Sequence, residues 1–210
     1  IFDLDGTLAD SKSDLCASVN YVRRRYELPP LSEAEIAVMI GSGATALIQR
    51  ALKGAIVEVR IEDGVGMFLD YYREHMLDQT RLYPGVQMAL DELSDCTLAV
   101  LTNKPYRFSC RLLEGLGIYD RFSFVYGGNS FNQKKPNPVG IIKILAETKA
   151  RSSVTWMVGD SAVDVQTGRA AGVRTCGVTY GYAPQTFDDD PPDCMIDDFQ
   201  QLPDLILNKR

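Results

Sequence analysis

The sequence predicts an α/β protein: a doubly wound, Rossmann-like parallel sheet, interrupted after its first strand by a small all-helical block. Three observations carry this. Residues 1–8 read as a short apolar strand and a turn, residues from about 12 to 80 show helical periods and no convincing strand, and after Tyr83-Pro84-Gly85 apolar runs alternate with helical stretches. Continuous apolar strands separated by helices indicate parallel strands covered on both faces.

Each element has its own reason. Leu15, Val19, Val22 and Tyr26 recur at helical spacing, and Pro29-Pro30 ends that helix. Ser32-Glu33-Ala34-Glu35 is a capping box for the next. Gly41-Ser42-Gly43 breaks the chain before Ala46, Leu47, Ile48, Ala51 and Leu52, and a longer helix carries Val65, Phe68, Leu69, Tyr72 and Met76 on one face. Beyond residue 85, helices are expected over 86–93, 108–116, 139–146 and 163–171, each leading to a strand, at 98–101, 124–126, 155–158 and 175–178. The expected division is therefore a core of residues 1–11 and 83–210, with 12–82 as an inserted helical domain on two short linkers. The acidic run 188–190 before Pro191-Pro192 reads as a surface loop.

Composition narrows the functions. With 210 residues and 45% hydrophobic residues the chain can bury a real core, and its net charge of −6 argues against an extended basic face and hence against nucleic acid. Arg23-Arg24-Arg25, the one basic run, reads as a solvated helix face. The five cysteines (Cys16, Cys96, Cys110, Cys176, Cys194) form no CxxC pair, which fits a reducing compartment, the cytoplasm, better than a disulfide framework. His75 is the single histidine, which argues against a Ser-His-Asp triad and suits a surface position. No apolar run approaches the ~20 residues of a membrane span. The chain begins at Ile1 rather than Met, so a few residues are expected to precede it.

The chemistry gathers at the strand ends, where ligands bind in open parallel sheets. Asp3 and Asp5, one residue apart at the end of the first strand, should point the same way and resist joint ionisation unless a cation or proton lies between them. Such a pair suits a magnesium site in which one carboxylate attacks and the other handles the proton. Read alone, Asp5-Gly6 is equally a turn. The second strand ends in Thr102, with a hydroxyl, and Asn103, with a backbone N–H, both suited to phosphate oxygens. Lys135, beside Pro136, supplies a point charge, and Asp160 and Asp164 add the carboxylate oxygens magnesium prefers. Singly these could be a helix cap, an exposed turn or a solvent-facing acid; four in order, each at a strand end, form one site.

This ordered set resembles the haloacid dehalogenase superfamily of phosphatases. Asp3-x-Asp5-Gly6-Thr7 is similar to its first motif, Leu101-Thr102-Asn103 to its second, Lys135-Pro136 to its third and Gly159-Asp160-x-x-x-Asp164 to its fourth. The helical insertion falls where that family places its C1 cap. The resemblance implies that Asp3 attacks phosphorus, that Asp5 protonates the leaving oxygen and then takes a proton from water, and that Thr102, Asn103 and Lys135 hold the phosphoryl oxygens. It implies a magnesium ion on Asp3, the backbone carbonyl of Asp5 and Asp160, with Asp164 as a ligand or an orienting group. The acid at Asp5 separates the phosphatases from the dehalogenase branch, whose halide leaves without a proton.

Leu8-Ala9-Asp10-Ser11, the Gly41-Ser42-Gly43 break and Tyr83-Pro84-Gly85 resemble the phosphoglycolate phosphatase group, implying a small phosphorylated metabolite such as 2-phosphoglycolate. Hinges are expected at 10–12 and 82–85, and 41–45 is the candidate loop for inspecting the substrate, although a plain helix break explains it as well. A sugar phosphomutase of the β-phosphoglucomutase type and a non-catalytic binding protein are the alternatives. Substrate and oligomeric state are left open by the sequence.

Overall fold

The computed structural model describes residues 1–54 and 60–207; residues 55–59 of the expected insertion and 208–210 of the expected core lie outside the described residues. Residues 1–3 run through the middle of a parallel sheet. A turn then leads to a two-residue strand β1 (Ala9–Asp10) and to helices α1 (Lys12–Arg25), α2 (Glu33–Ala37), α3 (Ala44–Ala51) and α4 (Ile61–His75), and the chain returns through β2 (Arg81–Leu82). There follow α5 (Val86–Glu92), β3 (Ala99–Leu101), α6 (Tyr106–Gly115), β4 (Phe124–Tyr126), α7 (Val139–Thr148), β5 (Trp156–Gly159), α8 (Ala162–Ala170), β6 (Arg174–Val178), β7 (Cys194–Ile196) and α9 (Leu202–Leu207).

The strand at residues 1–3 is short but central. Phe2 N–H donates to Ala99 O and Leu101 N–H to Phe2 O on one side, and on the other Val158 N–H donates to Ile1 O and Asp3 N–H to Val158 O. It thus joins the β3–β4 pair to β5–β6–β7, and all of these strands pair in parallel. Alternation sends Ile1, Ala99, Leu101 and Met157 to the face covered by Ile141 and Ile144 of α7. Phe2, Val100 and Val158 face the larger core with Leu90, Leu112 and Phe199. Both faces are buried, which is why the strands read as unbroken apolar runs.

The same larger core continues into the helices between β1 and β2 through Val19, Val22, Ile48 and Phe68. Ser32 and Glu35 form the expected capping box of α2. His75 lies half-buried at the surface, beside Asp78 at 2.8 Å.

The two linkers pair with each other, Ala9 with Leu82 and Asp10 with Arg81, in an antiparallel ribbon. Two-residue strands offer no periodicity to read. One expectation needs correction: Arg23 is not part of a solvated face. It is buried, donating through Nε to Pro29 O at 2.7 Å and through a terminal nitrogen to Ala51 O, while Arg24 and Arg25 stay exposed. Pro29 lies in the loop after α1 and Ala51 is the last residue of α3, where carbonyls without helical partners are well satisfied by a cation.

Above the ribbon, the buried Asp14 carboxylate of α1 accepts Gln79 N–H at 3.0 Å, Thr80 N–H at 2.9 Å and Thr80 Oγ1 at 2.7 Å. It ties the start of the helical block to its end. Asp14→Ala orphans the two donors of buried Thr80, while water reaches the exposed Gln79; at about 1–3 kcal/mol for each buried unsatisfied donor, the expected loss is about 2–6 kcal/mol. A fall in the urea midpoint measures it.

Candidate active site

The site begins where residues 1–3 leave the sheet. Leu4 O accepts N–H groups from Thr7, Leu8 and Ala9, and Gly6, at φ 84°, lets the chain reverse. Asp3 stays at the strand end, with one carboxylate oxygen 2.8 Å from Leu4 N–H. Asp160 at the end of β5 and Asp164 in the first turn of α8 come to the same place. Each of the three offers an oxygen, all within 4.8 Å of one another and all buried.

One cation faces this trio. Lys135 Nζ lies 2.9 Å from Asp3 Oδ1 and 2.6 Å from Asp164 Oδ1. Burial would lower its pKa, but Asp164 and Asp3 outweigh that and raise it, so the ammonium stays charged. The acids are less well served. Burial, reinforced by Asp164 against the pull of Lys135, pushes Asp3 up to about 6. Burial and the charges of Asp164 and Asp3 raise Asp160 well above the carboxylate range, although Tyr182 N–H donates to it at 2.7 Å. Three carboxylates against one ammonium leave a deficit of positive charge, and an all-oxygen donor set is the kind a hard divalent cation takes.

Asp5 faces the same cavity as Asp3, as the sequence implied, but from a separate environment. Its carboxylate meets Lys104 Nζ at 2.9 and 3.0 Å and Ser11 Oγ at 2.5 Å. Its side chain is outside the acidic trio, so among the four acids expected at the metal only Asp3, Asp160 and Asp164 bring carboxylates together. The physical reason is that the strand has already ended at residue 3, and ideal alternation does not carry to residue 5.

Thr102 and Asn103 follow β3 into the cavity. Thr102 Oγ1 accepts Lys104 N–H at 3.3 Å, leaving its own proton uncommitted, and Asn103 N–H has no partner among the described residues. The Asn103 amide is committed to backbone instead, donating to Gly41 O at 2.8 Å and Lys135 O at 3.0 Å. Lys134, next to the lysine of the trio, donates to Ser42 O at 2.6 Å. The 41–43 loop is thus held over the strand ends, where Gly41, Gly43 and Ala44 line the cavity. The cavity measures about 40 Å³, against about 10–15 Å³ for one water on the same scale, so only a small group fits.

Sequence reasoning missed Lys104, Tyr72, Ser11 and Tyr182. Lys104 stood directly after Asn103 at a strand end, a position at which any charged side chain belongs to the candidate site. Tyr72 read as one more apolar residue of a helix face, because periodicity places the ring and says nothing of the hydroxyl. Ser11 N–H donates to Tyr182 OH at 2.7 Å, a contact across the chain that no local pattern reveals.

The haloacid dehalogenase-like hydrolase family model matches residues 1–178. A curated relative named phosphoglycolate phosphatase, from Pectobacterium atrosepticum, is 37% identical over 211 residues, covering 98% of this chain and 90% of its own length. Another of the same name, from Pseudomonas putida, is also 37% identical, covering 96% of this chain and 77% of its own. Among solved structures, one described as a predicted phosphoglycolate phosphatase from Haemophilus somnus 129pt superposes with a TM-score of 0.91 at 33% identity, covering 100% of this chain and 96% of that one.

Gly6 tests the geometry of the trio. A Cβ there would sit 2.2 Å from Asp160 Oδ2, on a backbone at positive φ. Gly6→Ala should displace Asp160 and cost about 1–3 kcal/mol in stability. Titration calorimetry should show weaker divalent-cation binding in the same variant.

Proposed function

The chain belongs to the haloacid dehalogenase-like hydrolase family, and from that premise we propose that it hydrolyses a small phosphorylated metabolite, 2-phosphoglycolate, through a phosphorylated Asp3. It is a phosphatase, a phosphoric monoester hydrolase, as its curated relatives are. The observation that carries the mechanism is the separation of the two neighbouring acids. Asp3 sits among Asp160, Asp164 and Lys135, while Asp5 in the same cavity sits on Lys104. Two carboxylates in different environments can take different roles.

In the first step an Asp3 oxygen forms a bond to phosphorus. The bond to the leaving oxygen breaks with its electron pair, and that oxygen takes a proton from Asp5. In the second step water attacks phosphorus and gives a proton to Asp5, and the Asp3–phosphorus bond breaks back to the carboxylate. The Thr102 hydroxyl, the Asn103 N–H and the proton of Lys135 not used by Asp3 and Asp164 hold the phosphoryl oxygens. The carboxylates of Asp3, Asp160 and Asp164, with the Asp5 carbonyl, would hold magnesium, and the uncompensated charge of the trio fits it. Magnesium when bound supplies the positive charge that lets an anionic ester approach the acids.

Residues 12–82 act as a C1-type cap over the core of 1–11 and 83–210, with the β1–β2 ribbon as the hinge. The small cavity and the grip of Asn103 and Lys134 on the 41–43 loop support a cap that closes on a small substrate, with 41–45 inspecting it. A net charge of −6 gives no footprint for nucleic acid, and no helix among the described residues is long and apolar enough to cross a membrane. Five free cysteines suit the cytoplasm. The phosphomutase alternative has less support, since the relatives at 37% identity carry phosphatase names. A purely non-catalytic role leaves the gathered acids and Lys135 without a purpose.

Purified protein with magnesium should release phosphate from 2-phosphoglycolate, and chelation should stop it. Asp3→Asn should lower turnover by at least about a thousandfold while leaving the unfolding midpoint near that of the parent. Conversion of a hexose 1-phosphate to the 6-phosphate in the presence of its bisphosphate would instead mark a mutase. Asp160→Asn should raise the magnesium needed for half-maximal turnover about tenfold or more, measured by titrating activity with the metal.

A further inference from the structure

Lys104 is the buried cation to which the phosphoryl chemistry assigns no part. Its ammonium lies 2.9 and 3.0 Å from the two oxygens of Asp5 and 2.8 Å from the Tyr72 hydroxyl. It also sits over the Tyr72 ring, 4.6 Å from the centroid. Tyr72 comes from α4 and is 2% exposed. Its ring stacks on Phe68 of the same helix at 5.6 Å and on Phe108 of α6 at 5.8 Å. Lys104 is the only hydrogen-bond partner of the Tyr72 hydroxyl among the described residues.

We propose that Lys104 and Tyr72 are positioning residues for proton transfer by Asp5, Tyr72 acting through Lys104. Lysine is a flexible stem ending in three rotatable donors, so a lone Lys104–Asp5 contact would leave the carboxylate free to swing. The Tyr72 oxygen fixes a second donor direction and with it the ammonium. Tyr72 is itself fixed by the stack between α4 and α6. Asp5 is then aimed only while α4 is seated against α6, so the helical block takes part in the chemistry as well as in excluding water. Ser11 Oγ, at 2.5 Å, holds the Asp5 carboxylate from another side. None of these side-chain contacts touches Lys135 or the acidic trio, and Lys104 meets Thr102 Oγ1 through its backbone N–H alone. The proposal rests on the reading of Asp5 as the proton carrier.

The leaving group separates this role from a general structural one. Bond formation from Asp3 to phosphorus with 2-phosphoglycolate expels an alkoxide oxygen, which needs the Asp5 proton. With acetyl phosphate, of similar size, it expels acetate, which leaves with its electron pair and no proton. Rapid-quench measurement of the first step, with magnesium and each substrate, should show Tyr72→Phe slowed about ten- to hundredfold on 2-phosphoglycolate and less than about threefold on acetyl phosphate. Tyr72→Phe keeps the ring stack, and Lys104→Met, which should show the same contrast, covers the case in which the first variant does not fold. Equal losses on both substrates, or no loss on either, overturns the proposal. Asp5→Asn is the reference. If it shows the contrast and the other two variants do not, the positioning role alone is wrong. If Asp5→Asn shows no contrast, the reading of Asp5 is wrong and the positioning role falls with it.

Discussion

Everything at this site depends on holding three buried carboxylates within 4.8 Å of one another. Like charges do not gather in a protein interior without something stiff behind them. Here the stiffness comes from the backbone. Asp3 is fixed by hydrogen bonds from residues 1–3 to strands on both sides, Asp160 by the end of β5 and Asp164 by the first turn of α8, where Ser161 Oγ donates to it at 2.9 Å. Gly6, Gly159 and Gly181 leave room, since a Cβ at any of them would come within 2.2 Å of an atom of Asp160 or Asp164. Lys135 then relieves part of the repulsion and leaves the rest as a standing attraction for positive charge.

The arrangement makes the order of the strands part of the chemistry. The segment with Asp3 has to be central, so that β3 with Thr102 lies on one side and β5 with Asp160 on the other. An edge position would lose one of them. The cost is a first strand whose side chains are enclosed on both faces, with Phe2 1% exposed and ringed by Phe122 and Phe199.

The strand ends were the legible part of the sequence, and the reason is specific. Thr102 and Asp160 each follow a run of apolar residues long enough to be recognised, so the position of the polar residue after the run carries information, while Asp3 was legible through its spacing from Asp5. Lys135 was legible through its neighbour Pro136 and the resemblance of the pair. What could not be read is what depends on contact between distant segments. The commitment of the Asn103 amide to Gly41 O and Lys135 O, the grip of Lys134 on Ser42, the burial of Arg23 and the partnership of Tyr72 with Lys104 join segments 28 or more residues apart in most cases. A charge on a helix reads as solvated until the element that covers it is known. β7, which follows an acidic loop where β3 to β6 each follow a helix, was missed.

Ala9 lies opposite Leu82, and Asp14 reaches residues 79 and 80, so the two points where the helical block leaves and rejoins the sheet are one place in space. For the sheet, the roughly seventy intervening residues amount to a loop whose ends already meet. Such a loop can lengthen, shorten or be exchanged without moving a strand, because closure is set at its base. A fold built this way can keep one reaction centre and accept different coverings over it, so that the choice of molecule can be inherited separately from the means of cleaving it.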